Sequence, residues 1–351
     1  MGQIKLPKKS IEFFEKNYPE IFDTGNLAEG IWNEKVSSWC KSYTQSPYSL
    51  AFNSNGSGLF TILRLLKRYR SKEDIFLQSN TMYGVKTIAL ASGLNFKGFV
   101  DCSLDYLMPT ADQVREFVNK LENPHKSVFL ITHIGGWVNP DIEEISEICK
   151  KNKVELVEDC AHSLGSLLNN NHSGLYGLAG VYSLYATKAV PAGEGGIMVT
   201  QDEELYEMCR KFIMYDRFDQ EIDVGVNLRM SEINALICYS VLEETESIIE
   251  NKYLIADEYR KICNERDIGF IDPSDNDHRS NLYKFIILAR SESDLKKFNL
   301  ITNKTSCVYD YSLGNDKEGI AKKHVCLPIW YKQEEEKTLA TVEELSNIFS
   351  K

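Results

Sequence analysis

The chain of 351 residues lacks the features that would direct it to a membrane, to secretion or to nucleic acid. No apolar run approaches the ~20 residues that a membrane-spanning helix needs. The first residues, MGQIKLPKKSIEFF, lack the apolar core of a signal peptide. Basic residues are scattered, and the net charge is −11, which disfavours a nucleic-acid surface. We therefore expect a cytoplasmic protein that binds neither membranes nor nucleic acids.

Paired cysteines and several common catalytic motifs are also missing. The nine cysteines include no C-x-x-C pair, their number is odd, and most of them lie in apolar stretches. This pattern disfavours both a disulfide framework and a zinc site, so we expect free thiols and no metal. The chain contains no G-x-S-x-G elbow, no H-E-x-x-H motif and no phosphate-binding P-loop. These absences disfavour the serine hydrolase, zinc protease and P-loop NTPase classes.

Short apolar runs alternate with helix-like segments from about residue 48. The predicted strands of this part are YSLAF, IFLQS, FKGFVD, SVFLITHI and VELVEDC. Such alternation predicts an α/β fold in which helices flank a mostly parallel sheet, and the continuous apolar runs predict strands buried on both faces. From about residue 230 the pattern is mainly helical. We predict a large domain over residues 1–235 and a small C-terminal α+β domain over residues 236–351.

A polar turn, NSNGSGLF, joins the first predicted strand to a helix. The free N–H groups of a helix start, together with the helix dipole, form a good site for phosphate, here at Gly56 and Ser57. Considered alone, the turn is better explained as an ordinary helix cap. A dinucleotide site is disfavoured because the G-x-G-x-x-G pattern is incomplete.

Two further strand ends carry titratable side chains. VELVEDCAHSLGS places Asp159 at the end of a strand with His162 three residues later. SLYATKAVPAGEGG places Lys188 between an apolar run and a glycine-rich turn. Ligands of open α/β sheets bind beyond the carboxyl ends of strands, and a shielded lysine can attack a carbonyl group. Taken singly, each of these residues also has a purely structural explanation.

The combination of these residues indicates one cofactor. Pyridoxal phosphate needs a lysine for its aldehyde, a carboxylate that keeps its ring nitrogen protonated, and a cup for its phosphate. Lys188, Asp159 and the Gly56–Ser57 turn supply the three. The sequence therefore predicts a pyridoxal-phosphate enzyme.

Eight blocks of the chain, in order, resemble the DegT-type nucleotide-sugar aminotransferases. The most specific blocks are VEDCAHSLGS, YSLYATKAVPAGEGGIMVT and GVNLRMSEINALI. The others are TGNLAEGIWNEKVSSW, NGSGLF, TMYGVKTIALASGLNFKGFVDCSLD, HIGGWVNPDIEEI and CLPIW. The resemblance covers nearly the whole chain. It implies the type I pyridoxal-phosphate transferase fold, that of aspartate aminotransferase, with the larger domain holding the cofactor.

The resemblance also implies a role for each matching residue. Lys188 would bond the cofactor aldehyde and shuttle a proton between substrate and cofactor, and Asp159 would pair with the ring nitrogen. His162 would lie near the ring hydroxyl. The phosphate would be held by Gly56, Ser57 and Ser183, and by Asn227 of the partner subunit in a homodimer with shared active sites.

The chain departs from the family pattern at three places, one of which is the continuation AVPAGEGG after Lys188, where the family more often has Asn-Leu. Met82 stands where the family often has an aromatic residue that stacks on the cofactor, and the neighbouring Tyr83 is a candidate substitute. The segment 268–323 is shorter and differs most. Within it, Tyr309 and Tyr311 are candidates for contact with the sugar.

The activity implied by the resemblance is a transamination in two halves. L-Glutamate donates its amino group, and a nucleotide-linked 4-keto-6-deoxyhexose accepts it to become the 4-amino-4,6-dideoxy sugar. The alternative is the same chemistry at carbon 3 of the sugar. A cofactor-dependent sugar dehydratase, in which histidine replaces the lysine, and a non-catalytic regulator both agree less well with the retained Lys188. The identities of the sugar and of the nucleotide remain open.

Overall fold

The computed structural model of the chain describes residues 4–215, 223–273 and 278–350. Its strands are β1 Tyr48–Phe52, β2 Asp74–Gln78, β3 Asn95–Val100, β4 Ser127–Thr132, β5 Glu155–Cys160, β6 Leu167–Leu168, β7 Asn171–His172, β8 Ala179–Ser183, β9 Gly196–Thr200, β10 Gly269–Phe270, β11 His278–Arg279, β12 Phe285–Leu288 and β13 His324–Leu327. Its α-helices are α1 Lys8–Thr24, α2 Ile31–Thr44, α3 Asn55–Tyr69, α4 Tyr83–Ala91, α5 Ala111–Val118, α6 Ile142–Lys151, α7 Glu203–Met214, α8 Glu232–Leu242, α9 Thr245–Arg266, α10 Glu292–Phe298 and α11 Glu335–Ile348.

Seven strands form the central sheet in the order β1-β9-β8-β5-β4-β2-β3. Strand β9 runs antiparallel to both of its neighbours, and the other pairs in this sheet are parallel. Every residue of β4, SVFLIT, is buried, which is the pattern of a strand covered on both faces. The predicted fold class, a mostly parallel sheet flanked by helices, is confirmed.

The common direction of the strands determines where a ligand can bind. Strands β1, β2, β4, β5 and β8 point the same way, because β9 reverses the chain between β8 and β1. Their carboxyl ends therefore meet at one edge of the sheet, where Asp159 lies near the end of β5 and Ser183 at the end of β8. Parallel sheets bind their ligands at this edge.

Helices cover both faces of the sheet through apolar stripes. Helix α3 buries Leu59, Ile62, Leu63 and Leu66, which recur every three or four residues and so occupy one side of the helix. They join a core cluster with residues of β1, β2, β4 and α7. A second cluster, on residues of β2 and β4, includes Ile142 and other residues of α5 and α6. Within the described residues, no helix is long and apolar enough to cross a bilayer.

The C-terminal part has a core of its own around an antiparallel sheet, β10-β12-β13. Helices α9 and α11 pack on this sheet. The buried apolar residues of this core all lie between Ile255 and Phe349 in the sequence. Residue 235 lies inside α8, whose buried residues belong to the core beside α1 and α2. The division into residues 1–235 and 236–351 stays a prediction. All nine cysteines are free thiols.

Candidate active site

Asp159 lies at the centre of the polar edge of the sheet and is only 2% exposed. The Asn55 side chain, from the first residue of α3, donates a hydrogen bond to Oδ1 of Asp159 at 3.1 Å. The backbone N–H of Ala161 donates to the same oxygen at 3.1 Å, and the Thr132 hydroxyl donates to Oδ2 at 3.4 Å. Burial raises the pKa of Asp159, and the donors together with the Lys188 amine counteract part of that effect. The carboxylate is therefore held in one orientation.

Lys188 follows β8 in a turn, where its backbone N–H donates to the carbonyl of Tyr185 at 2.9 Å. Burial of the amine lowers the pKa of Lys188 to about 8; Lys284 acts in the same direction, and Asp159 opposes it. The Lys188 Nζ lies 5.3 Å from the centre of the Tyr283 ring. A lysine in these surroundings has a sizeable neutral fraction near neutral pH, as a nucleophilic amine requires.

His162 lies on the turn after β5 and is 5% exposed. Its ring centre is 4.4 Å from that of Tyr283 and 6.1 Å from that of Tyr309. Burial lowers the pKa of His162 well below its ordinary value, so the ring is neutral. Its Nδ1 is buried and has no hydrogen-bond partner among the residues that the structure describes. A polar group of a ligand beside Asp159 would satisfy this atom.

The predicted phosphate turn forms the start of α3. The Ser54 hydroxyl caps the helix by accepting the N–H of Ser57 at 3.1 Å, and the two hydroxyls lie 2.9 Å apart. The Ser57 hydroxyl also donates to the side chain of Asn53. Gly56 is the second residue of the helix, so its N–H has no carbonyl within the helix to bond. The Gly56 N–H is therefore available to an anion at this helix start, whereas the Ser57 hydroxyl would have to turn away from Asn53 to donate to one.

Gly196, the first residue of β9, lets the sheet approach this turn closely. A Cβ added there would lie 2.3 Å from the carbonyl carbon of Ser54 and 2.5 Å from the backbone nitrogen of Asn55. Gly196 pairs with Ser183 of β8 across the two strands. The Ser183 hydroxyl accepts the N–H of Tyr185 at 3.2 Å, and the residue is 6% exposed.

Asn227 is exposed and precedes Leu228, whose carbonyl accepts the N–H of Asn53 at 2.9 Å. Its backbone is thus anchored beside the phosphate turn of its own chain. The assignment of its side chain to a partner's site stays a prediction.

The residues predicted to stack on the cofactor or to contact the sugar come together at the start of α4. Met82 is 45% exposed there, and the backbone N–H of Tyr83 donates to the Tyr311 hydroxyl at 2.9 Å. The Tyr309 and Tyr311 rings lie 5.6 Å apart. His324 holds this segment, because its Nε2 accepts the N–H of Val308 at 3.2 Å.

Tyr283 is the main site residue that the sequence analysis missed. Asn281 fixes its backbone: its side-chain oxygen accepts the Tyr283 N–H at 2.9 Å, and its amide donates to the carbonyls of His162 and Leu164, each at 2.8 Å. Gly136, at a φ of +114°, makes room for this contact, since a Cβ there would lie 2.5 Å from the Asn281 oxygen. No local signal marks Tyr283, because it reaches Lys188 from the C-terminal part.

A neighbouring buried cluster serves the structure of the site edge. His133 Nδ1 accepts the N–H of Asn139, so Nε2 carries the proton and donates it to Glu158 at 2.8 Å. The Glu158 carboxylate also accepts N–H groups of Gly174 and Gly177, each at 2.7 Å. Since its oxygens are occupied by these donors, we regard this cluster as a support for β5.

The residues present fit pyridoxal phosphate. The site offers a lysine of lowered pKa, a buried carboxylate, a helix start with free donors and an unpaired histidine nitrogen. Together with the α/β fold, this donor set defines the class: a pyridoxal-phosphate-dependent enzyme.

The model of the DegT/DnrJ/EryC1/StrS aminotransferase family matches residues 9–308, and the chain belongs to this family. Membership confirms the family predicted from the sequence. It also confirms the predicted class, a pyridoxal-phosphate-dependent aminotransferase.

Curated relatives match parts of the chain. GDP-perosamine synthase of Escherichia coli O157:H7 is 32% identical over 157 residues, 43% of this chain and 42% of that protein. UDP-4-amino-4,6-dideoxy-N-acetyl-beta-L-altrosamine transaminase of Helicobacter pylori is 28% identical over 226 residues, 61% of this chain and 57% of that protein. The chain thus spans about half the length of the curated relatives it matches.

Solved structures share the fold over the whole chain. The aminotransferase TlmJ from Streptoalloteichus hindustanus has a TM-score of 0.85 at 21% identity and covers 100% of this chain and 99% of its own. Spr1654 from Streptococcus pneumoniae, in its PLP form, has a TM-score of 0.85 at 18% identity and covers 99% and 97%. At these identities the likeness concerns the fold.

Proposed function

We propose that this chain transfers the amino group of L-glutamate to a nucleotide-linked 4-keto-6-deoxyhexose. The convergence of Lys188, Asp159 and the Gly56–Ser57 turn at one edge of the sheet is the observation that carries the proposal. Bound pyridoxal phosphate supplies an aldehyde that accepts the amino group and a ring that takes up electrons when a C–H bond breaks.

Lys188 moves the proton in both halves of the reaction. Its neutral amine takes the proton from the carbon that bears the amino group, and the resulting ammonium returns a proton to the acceptor carbon. A general base works best when its pKa is near the working pH, and the value of about 8 meets this condition. The Tyr283 ring beside the Nζ can stabilise the ammonium form by a cation–π contact and limits the approach of water.

Asp159 and the helix start orient the cofactor. The carboxylate of Asp159, immobilised by Asn55 and Ala161, keeps a proton on the ring nitrogen. Gly56, Ser57 and Ser183 hold the phosphate at the N-terminus of α3, where the helix dipole favours negative charge. His162 is neutral, so its ring can hydrogen-bond a cofactor oxygen without adding positive charge.

The choice of carbon 4 is supported by the name of the Helicobacter pylori relative, which contains a 4-amino-4,6-dideoxy sugar. Met82, Tyr309 and Tyr311 form the surface that we assign to the cofactor ring face and the sugar. We further propose a homodimer in which Asn227 of the partner subunit completes the phosphate site. A cytoplasmic location agrees with nine free thiols.

The test is a reaction in two separate stages. The purified protein loaded with pyridoxal phosphate will convert glutamate to 2-oxoglutarate, one equivalent per site. Addition of a nucleotide-linked 4-keto-6-deoxyhexose will then yield an amino sugar whose position NMR assigns. Lys188→Ala will abolish both stages, whereas Lys261→Ala, at an exposed lysine of α9, will not.

Two results would contradict the proposal in different ways. A protein that neither retains the cofactor nor produces 2-oxoglutarate is not a transaminase. If the 4-keto sugar yields no amino sugar while a nucleotide-linked 3-keto-6-deoxyhexose does, the chemistry stands and the acceptor is the 3-keto sugar.

A further inference from the structure

A cavity of about 730 Å³ opens beside Lys188, between the central sheet and the C-terminal part. Among the described residues that line it there is no aspartate or glutamate, although the chain as a whole carries a net charge of −11. The lining includes six lysines: Lys5, Lys188, Lys252, Lys284, Lys304 and Lys337. So many cations in one cavity produce a strongly positive potential, which attracts anions.

Lys252, on α9, is the least expected of these lysines because it is only 4% exposed. Its Nζ donates to the carbonyl of Ala189 at 3.2 Å, and within the described ranges it forms no ion pair with a carboxylate. Burial lowers the pKa of Lys252 to about 7, and the charge of Lys284 adds to the effect. A buried lysine without a counter-ion is costly, and a bound anion would remove that cost.

Two neighbours lack a carboxylate partner in the described part of the chain as well. The Lys284 Nζ donates to the carbonyl of Ser306 at 3.2 Å, and Lys304 is exposed. The two remaining lysines are already engaged, since Lys5 pairs with Glu334 and Lys337 donates to Asn303. Lys252, Lys284 and Lys304, which we call the lysine trio, are therefore the cations available to a ligand.

We propose that the lysine trio binds the diphosphate of the nucleotide-linked substrate while the keto-sugar reaches Lys188. This inference rests on the proposed function, because it assigns a part of that substrate. The diphosphate carries two negative charges at neutral pH, and the net charge of glutamate is one. A bound anion favours the protonated form of Lys252, so the trio then supplies three positive charges, which match the first reactant better than the second. In this substrate the keto carbon and the diphosphate lie on opposite sides of one sugar ring, and Lys188 and the trio line the same cavity.

The test is calorimetric titration of the cofactor-loaded protein with inorganic pyrophosphate, a nucleoside diphosphate and glutamate, each at one fixed ionic strength. We expect saturable binding of both phosphate ligands. Lys252→Gln and Lys304→Gln will each weaken it about tenfold, a typical effect of a lost charge-assisted contact. Lys261→Gln, on the same helix as Lys252 but exposed, is the matched control and will bind like the wild type. Since Lys304 is exposed, its variant is informative even if Lys252→Gln fails to fold.

The outcomes separate this inference from the proposed function. If pyrophosphate binds equally well to the wild type and to both variants, or to none of them, the inference is wrong, whereas production of 2-oxoglutarate from glutamate keeps the proposed function. If the variants lose affinity for glutamate alone, the cavity belongs to the donor and the inference is overturned. If the variants lose pyrophosphate while the wild type cannot convert glutamate, the anion site stands and the proposed function fails.

Discussion

Raising the pH through about 8 will convert Lys188 from the ammonium form to the neutral amine, which is its reactive form. With a pKa of about 8, roughly a tenth of the amine is neutral at pH 7. At the ordinary lysine pKa of 10.5 the neutral fraction is about three in ten thousand, so the site increases it by a factor of about 300. Since only the neutral amine attacks an aldehyde, the rate of cofactor capture will follow this fraction.

The assay uses protein stripped of cofactor and mixed rapidly with pyridoxal phosphate between pH 6 and pH 10. The rate constant of the absorbance change will rise with pH and reach half its maximum near pH 8. Lys284→Gln removes a positive charge that lowers the pKa of Lys188, so its midpoint will move to higher pH. Asp159→Asn removes a negative charge that raises this pKa, so its midpoint will move to lower pH.

A midpoint of the capture rate above pH 10 in the wild type would refute this reasoning. It would mean that Lys188 keeps the ordinary pKa of a lysine exposed to water. Lys188→Ala is the control for reaction at other lysines and will give no specific absorbance change. Midpoints that move opposite to the stated directions would show that Lys284 and Asp159 act on the amine by something other than charge.

Two further predictions concern the phosphate turn. Gly196→Ala will lower the free energy of unfolding by about 2 kcal/mol or more, because the new Cβ meets the backbone of Ser54 and Asn55, which cannot move aside; an unchanged urea midpoint would contradict this. A mixture of Lys188→Ala and Asn227→Ala subunits will recover one intact site per mixed dimer and retain cofactor there, provided that Asn227 serves the partner. No recovery would assign Asn227 to its own chain, where Leu228 already bonds Asn53.

The sequence alone determined the elements and residues that depend on local patterns. The run YSLAF predicts β1, and the structure has a strand over Tyr48–Phe52. Asp159 at the end of an apolar run and the Gly56–Ser57 turn before a helix were also predicted, because strand ends and helix starts are encoded by neighbouring residues. A parallel sheet brings its strand ends to one edge. The sequence pattern therefore also predicted that these residues lie close together.

The tertiary structure decided what joins residues far apart in the chain. Tyr283 reaches Lys188 and His162 only because Asn281 binds the turn after β5, more than a hundred residues away in sequence. The lysine trio likewise comes from α9 and two later segments, and no spacing in the sequence links them. Such contacts depend on how the C-terminal sheet packs against the central one. A local sequence pattern reflects the backbone geometry of its own segment. Packing between segments depends on many weak contacts at once, so these contacts are seen only in the folded chain.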